Sequence, residues 1–216
     1  MFELLKAASE VMGKMNAKWC FAGGWAIDLF LGKESRPHKD LDIVVFKNEI
    51  KEVISYMKAN NWKIETPTRQ GFLPVTEENV SELEMDNMWC MNEAYPLDYL
   101  KVDEQGSCNF YQYEREVQES FDFLEVLLNS SEGGYFIYQQ NPSIRLEMSR
   151  AIFENSGLPY LAPEIVLLYK SKYLSEDNQA DFDLVSEKLD SEQRKWLKEA
   201  LTTEYGSDHP WVQAIS

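Results

Sequence analysis

The chain has little that would carry it into a membrane or staple it together. No apolar stretch in its 216 residues is long enough to span a bilayer. The first residues, MFELLKAASEVMGKMNAKW, lack the basic start and the continuous apolar run of a signal peptide. They read instead as an amphipathic helix with Leu4, Leu5, Ala8, Met12 and Met15 on one side. Three cysteines, Cys20, Cys90 and Cys108, are scattered, with neither metal-ligand spacing nor a disulfide framework. A cytoplasmic protein is therefore expected, with no membrane partner. Glycine and proline are sparse, at 10 and 8, and there is no internal repeat and no low-complexity tract. Positive charge is short as well: 21 Lys and Arg stand against 37 Asp and Glu, a net −16. Phosphate contacts need a basic surface, so the balance speaks against a nucleic-acid partner and for a small cationic one. Most of the acids, such as Glu77-Glu78 and Glu82-Leu83-Glu84, read as solvated loop or edge-strand residues that keep the chain soluble.

What is there is concentrated between Phe21 and Val45, in FAGGWAIDLFLGKESRPHKDLDIVV. The order is strand, glycine turn, short helix, loop, strand. Residues two apart on a strand share a face, so Asp40 and Asp42 present two carboxylates side by side. Such a pair repels unless a cation sits between its members, and a hard divalent ion such as Mg²⁺ prefers oxygen ligands. The turn Gly23-Gly24 leaves backbone N–H groups free to approach a phosphate, with a helix starting just behind them. A phosphate cradle beside paired carboxylates suits a metal-bound nucleoside triphosphate.

A glycine pair, a short helix and Asp-x-Asp on a strand resemble the nucleotidyltransferase superfamily of DNA polymerase β. The longer strings Gly23-Gly24-Trp25-Ala26-Ile27-Asp28 and Arg36-Pro37-His38-Lys39-Asp40-Leu41-Asp42 are similar to the branch of aminoglycoside 2″-adenylyltransferases and lincosamide nucleotidyltransferases. Later segments add to the likeness: Pro159-Tyr160-Leu161-Ala162-Pro163-Glu164, Leu167 to Lys172, Asp177 with Asp181-Phe182, and Asp208-His209-Pro210-Trp211. The stretch from Glu65 to Glu84 carries no resemblance, and acceptor choice is expected to be encoded there.

Fold class is read as α+β, a minimal nucleotidyltransferase domain over residues 1–140 and an all-helical C-terminal domain over 141–216, with the active cleft between them. Asn48–Asn60 has helical spacing, and short strands are expected near Trp62–Thr66, Met88–Met91, Leu97–Leu100, Phe121–Leu128 and Tyr135–Tyr138. Glu147–Asn155 is predicted as a helix ended by Gly157. Pro163 opens a second, Asp181–Leu189 forms a third, and Asp190 with Gln193 caps a fourth.

A two-metal site needs a third carboxylate, and Asp98 is the candidate, since it sits inside the apolar strand Pro96–Leu100 where an unpaired acid is costly. The resemblance implies that such an Asp completes the site and helps deprotonate the acceptor hydroxyl. Glu93 and Asp103 flank that strand and read as solvated. Arg36 touches phosphate or closes a loop with a salt bridge. His38 reads as a hydrogen-bonding loop residue, Asp28 as structural and Trp25 as packed. Lys170 and Lys172 point in different directions on their helix, and the residue pattern favours Lys170 for the triphosphate, against a surface lysine. Glu164 either caps its own helix or faces a cationic substrate. The resemblance implies transfer of AMP from ATP to a hydroxyl of a small molecule with two Mg²⁺, the acceptor being an aminoglycoside or else a lincosamide. The enzyme is expected as a monomer or homodimer. A non-catalytic nucleotide-binding or toxin–antitoxin module is the alternative from another class; the three carboxylates, the acidic surface and the full second domain count against it.

Overall fold

Apolar residues at three- and four-residue intervals make α1 (Glu3–Met12), which buries Leu5, Ala8 and Met12. The chain then forms β1 (Trp19–Phe21), α2 (Gly23–Leu31), β2 (Asp42–Phe46), a 3₁₀ turn at Lys47–Glu49 and α3 (Ile50–Ala59), which buries Val53, Ile54 and Met57. Strands β3 (Lys63–Thr68), β4 (Gly71–Pro74), β5 (Asn87–Met91), β6 (Leu100–Val102), β7 (Cys108–Phe110) and β8 (Phe123–Glu132) follow, then β9 (Tyr135–Ile137) and β10 (Arg145–Glu147). After α4 (Met148–Ala151) come β11 (Ile152–Asn155) and β12 (Leu158–Leu161). Helices α5 (Pro163–Lys170), α6 (Glu176–Ser186), α7 (Ser191–Tyr205) and α8 (Pro210–Ala214) close the chain. This computed structural model describes residues 2–68, 71–93, 100–102, 108–110 and 117–215. Among them no helix is long and apolar enough to cross a membrane.

The fold is a mixed α/β nucleotidyltransferase-like core followed in sequence by a helical bundle, α5–α8. The chain forms two compact units. The first comprises Met1–Trp19 and Arg36–Asn129, the second Cys20–Ser35 and Ser130–Ser216.

In the first unit the strands run in the order β2-β8-β5-β3-β4. β2 and β8 are parallel, with Asp42 opposite Glu125. The remaining pairs are antiparallel, placing Trp89 opposite Glu125, Glu65 opposite Trp89 and Pro74 opposite Glu65. Strand side chains alternate, so one sheet face carries Ile43, Val45, Leu124, Val126, Met88, Cys90 and Ile64. All are buried and, with the apolar sides of α1 and α3, form this unit's core. The fully buried Cys90 thiol is pushed up to about 12 by loss of solvation, which leaves it unreactive.

In the second unit β12 lies between β11, antiparallel, and β1, parallel, with Phe21 opposite Tyr160. The capping box predicted at Asp190 is present: its carboxylate accepts from Glu192 and Gln193 N–H, and the Gln193 side chain accepts from Asp190 N–H. The helix predicted over Glu147–Asn155 is not found. Helix covers only Met148–Ala151, and Ile152–Asn155 turns back on β12 as a hairpin. The turn explains the difference. Ser156 and Gly157 both take positive φ, 55° and 80°, and Ile152-Phe153 suits a pleated strand better than a helix interior. Continuous helix therefore begins at Pro163, not near residue 141.

Candidate active site

The Asp-x-Asp segment enters the first unit's sheet from a loop. Asp40 lies two residues ahead of β2 and Asp42 is its first residue. The loop is tied down behind them: Gln118 N–H donates to the carbonyl of buried His38 at 2.8 Å, and Glu125 N–H donates to the Leu41 carbonyl at 2.9 Å. This lacing sets Asp42 beside Glu125. Oxygens of Asp40, Asp42 and Glu125 all lie within 4.8 Å of one another, and all three residues are half-buried.

Burial pushes the Glu125 carboxyl above the usual carboxylate range. The Asn87 amide, which donates to Glu125 Oε1, holds it down; the nearby Asp40 charge pushes it up; and the Trp89 indole on the facing strand holds it down again. Three carboxylates this close are self-repelling until a cation neutralises them. An all-oxygen set from two adjoining strand starts matches what a hard divalent ion accepts. The cluster fits a metal ion on its own chemistry.

Sequence reasoning missed Glu125. Asp98, expected as the third carboxylate, lies outside the described residues. The signal that singled out Asp98 was an acid inside an apolar strand, and it is equally present in Phe123-Leu124-Glu125-Val126-Leu127-Leu128. Arg36, four residues ahead of Asp40 in the sequence, is half-buried and donates to the Pro37 carbonyl at 3.3 Å. An open cavity of about 830 Å³ elsewhere in this unit, bounded by Lys47, Lys51, Glu84 and Asp86, does not include the carboxylates.

The other predicted site residues belong to the second unit. Gly23 and Gly24 open α2, and Gly23 takes φ 56°, a conformation that favours glycine. Fully buried Asp28 accepts from the backbone N–H of Ser35 at 3.0 Å and from its hydroxyl, the structural role expected of it. Trp25 is buried. Lys170 Nζ is 2.9 Å from Asp181, a carboxylate 1% exposed, and donates to Asn178 Oδ1 at 3.2 Å. These contacts tie α5 to α6. Glu164 is fully buried, and its Oε2 accepts from Gln193 Nε2 at 2.8 Å, linking α5 to α7. Its Oε1 has no hydrogen-bond partner among the described residues. Loss of solvation raises this carboxyl to about 7, against the pull of its own backbone N–H, Gln193 and Arg150.

Residues 4–149 match the family described as aminoglycoside-2″-adenylyltransferase. A lincosamide resistance protein of Staphylococcus haemolyticus is 21% identical over 173 residues, which cover 80% of this chain and 86% of that one. A 2″-aminoglycoside nucleotidyltransferase of Klebsiella pneumoniae is 28% identical over 106 residues, 49% of this chain and 55% of that one. The solution structure of the antibiotic-resistance factor ANT(2″)-Ia has the same fold, with a TM-score of 0.54 at 14% identity over 94% of this chain and 92% of that one. The lincomycin-bound lincosamide adenylyltransferase LnuA also scores 0.54, at 18% identity over 85% of this chain and 95% of that one. The chain belongs to the aminoglycoside-2″-adenylyltransferase family of DNA polymerase β-like nucleotidyltransferases, enzymes to which the lincosamide adenylyltransferases are also related.

Proposed function

We propose that the protein transfers AMP from ATP to a hydroxyl of a small amine-bearing antibiotic, an aminoglycoside first and a lincosamide second. The observation that carries this is the cluster of Asp40, Asp42 and Glu125 at the starts of two parallel strands. Asp40 and Asp42 would hold Mg²⁺ together with Glu125, and Asp98 is kept as a further candidate carboxylate. Mg²⁺, two ions in the full complex, would neutralise the triphosphate and lower the pKa of the acceptor hydroxyl. The hydroxyl oxygen attacks the α-phosphorus, the bond from that phosphorus to the bridging oxygen breaks, and pyrophosphate leaves with the electron pair. The hydroxyl proton passes to a carboxylate of the cluster, with Glu125 the best placed, and on to water. The chain's contribution is positioning and fixed charge. Gly23, Gly24, Arg36 and Lys170 are assigned to the triphosphate and Glu164 to the cationic acceptor. Residues 1–140 would form the catalytic domain and 141–216 the second, whose helical bundle starts at Pro163.

The test is pyrophosphate release with ATP and MgCl₂ in the presence of tobramycin or lincomycin. Release that depends on one of them supports the reading, and none with either sinks it. The lincosamide alternative is kept because the staphylococcal relative is matched over most of its length.

Two further outcomes are expected. Gly24→Val should abolish binding of Mg²⁺ with a non-hydrolysable ATP analogue in calorimetry while leaving the melting temperature nearly unchanged, because a branched side chain blocks close backbone approach. Unchanged affinity would make the turn only a turn. Tobramycin binding should weaken on the order of tenfold between 10 mM and 150 mM salt, as the Debye length falls from about 30 to about 8 Å, and lincomycin binding far less. Tobramycin affinity indifferent to salt would remove the electrostatic case for a polycationic acceptor.

A further inference from the structure

The sheet of the first unit has a second face, opposite its core, and that face is not covered evenly. On β2 it is buried at Val44 and Phe46. Across β8, β5 and β4 it carries half-buried side chains, among them Glu125, Asn87, Trp89 and Phe72. The register sets these in a row. Asp42 is opposite Glu125, Glu125 opposite Trp89, and Trp89 opposite Glu65. Directly opposed residues share a face, so the row runs from the metal-binding carboxylates, over an indole, to a further carboxylate.

The aromatic part is extended. The Trp89 ring centroid lies 5.0 Å from that of Phe72, tilted, and 5.5 Å from that of Phe123, edge-on. Trp89 and Phe72 each keep part of their rings accessible on the non-core side of the sheet, and an aromatic face is what the C–H face of a sugar packs against. The far end has its own irregularity. Glu65 is 6% exposed, yet its ion-pair partner is Lys63, whose side chain is 53% exposed and whose Nζ lies 2.7 Å away. A sheltered carboxylate held by an exposed surface lysine can exchange that lysine for another ammonium group at little loss.

We infer that Trp89, Phe72 and Glu65 form the acceptor subsite, and that they select a glycoside whose reacting hydroxyl and an ammonium group lie roughly 10 Å apart, two strand spacings of about 4.8 Å. This rests on the adenylyl-transfer reading for the identity of the reacting end. A sugar ring lays its C–H face on Trp89, its hydroxyl meets the cluster at Glu125, and its ammonium replaces Lys63 at Glu65. Both Phe72 and Glu65 fall in the stretch from Glu65 to Glu84, where acceptor choice was expected to be encoded.

Calorimetry with tobramycin and with lincomycin on wild-type protein, Trp89→Leu, Trp89→Phe, Glu65→Gln and Lys63→Met tests it. Trp89→Leu is expected to raise the Kd of the bound antibiotic roughly tenfold and Trp89→Phe about twofold, in line with aromatic contact energies. Glu65→Gln should weaken binding, whereas Lys63→Met should tighten it by removing the competing cation. Tightening is the outcome that a purely structural Lys63–Glu65 pair does not produce. Kd for Mg²⁺ with a non-hydrolysable ATP analogue should stay near wild type in the Glu65 and Lys63 variants. Equal antibiotic affinity in all five proteins, weaker binding in Lys63→Met, or no binding of either antibiotic to wild type overturns the subsite. Antibiotic binding with these shifts but no ATP-dependent transfer would sink the adenylyl-transfer reading and leave the subsite standing.

Discussion

Asp42→Asn is expected to abolish transfer, by a thousandfold or more, while leaving the metal-free protein at least as stable as wild type. A thousandfold is about 4 kcal/mol of barrier, within what a bound metal supplies to a phosphoryl transition state. The two halves of the prediction have one cause. Asp40, Asp42 and Glu125 place oxygens within 4.8 Å of one another, so each negative charge removed deletes a ligand and also relieves repulsion. Asp40→Asn should behave alike. Glu125→Gln should lower turnover as well, and it removes a carboxyl that burial already raises above its usual range. Pyrophosphate release and thermal melting, each with and without Mg²⁺, check the two halves together. Mg²⁺ should raise the melting temperature of the wild-type protein and not of Asp42→Asn. Near wild-type turnover in Asp42→Asn would end the metal assignment, and a much lower melting temperature without Mg²⁺ would make the cluster a structural network.

The Asp-x-Asp pair was legible because it is local in sequence, although only Asp42 lies on β2 and Asp40 is placed by the loop ahead of it rather than by strand alternation. Glu125 was not, because its neighbours are set by the parallel pairing of β2 with β8, segments far apart in the chain. An apolar strand bearing one acid is visible in sequence, but which strand lies beside it is a property of topology. The same division runs through the fold. Helices α1, α3 and α7 were readable from periodicity and from the Asp190–Gln193 cap, all of which are local. The segment Glu147–Asn155 misled because its composition suits a helix, while the positive-φ turn at Ser156-Gly157 and the pairing of β11 with β12 decide against one. Lys170 and Glu164 were readable as helix residues, but their partners, Asp181 and Gln193, come from other helices.

Glu164→Gln is expected to raise stability at pH 8 by up to about 3 kcal/mol, the value of a carboxyl displaced from 4.5 to about 7. The group is fully buried at the start of α5, with Gln193 on one oxygen and no partner for the other among the described residues. Tyr160, Arg150 and Asp190 are the other titratable or charged groups that feel it or act on it. In the unfolded chain it titrates near 4.5, so between 4.5 and about 7 the native state holds a proton that the unfolded state lacks. Its contribution is therefore fully present below pH 4.5 and is lost as pH rises to about 7, after which the loss levels off. A glutamine copies the protonated acid: its carbonyl accepts from Gln193 and it carries no charge to desolvate. Urea unfolding of wild type and variant from pH 5 to pH 8 should show the wild-type curve falling away from a flatter variant curve, with a melting temperature higher by roughly 5–10 °C in the variant at pH 8. Equal slopes in the two proteins would assign the titration to another group. The same pair of curves bears on the substrate role assigned to Glu164. If a cationic acceptor reaches the carboxylate, saturating tobramycin should depress its pKa and flatten the wild-type slope. A slope unaltered by bound tobramycin would leave Glu164 as the brace between α5 and α7 alone.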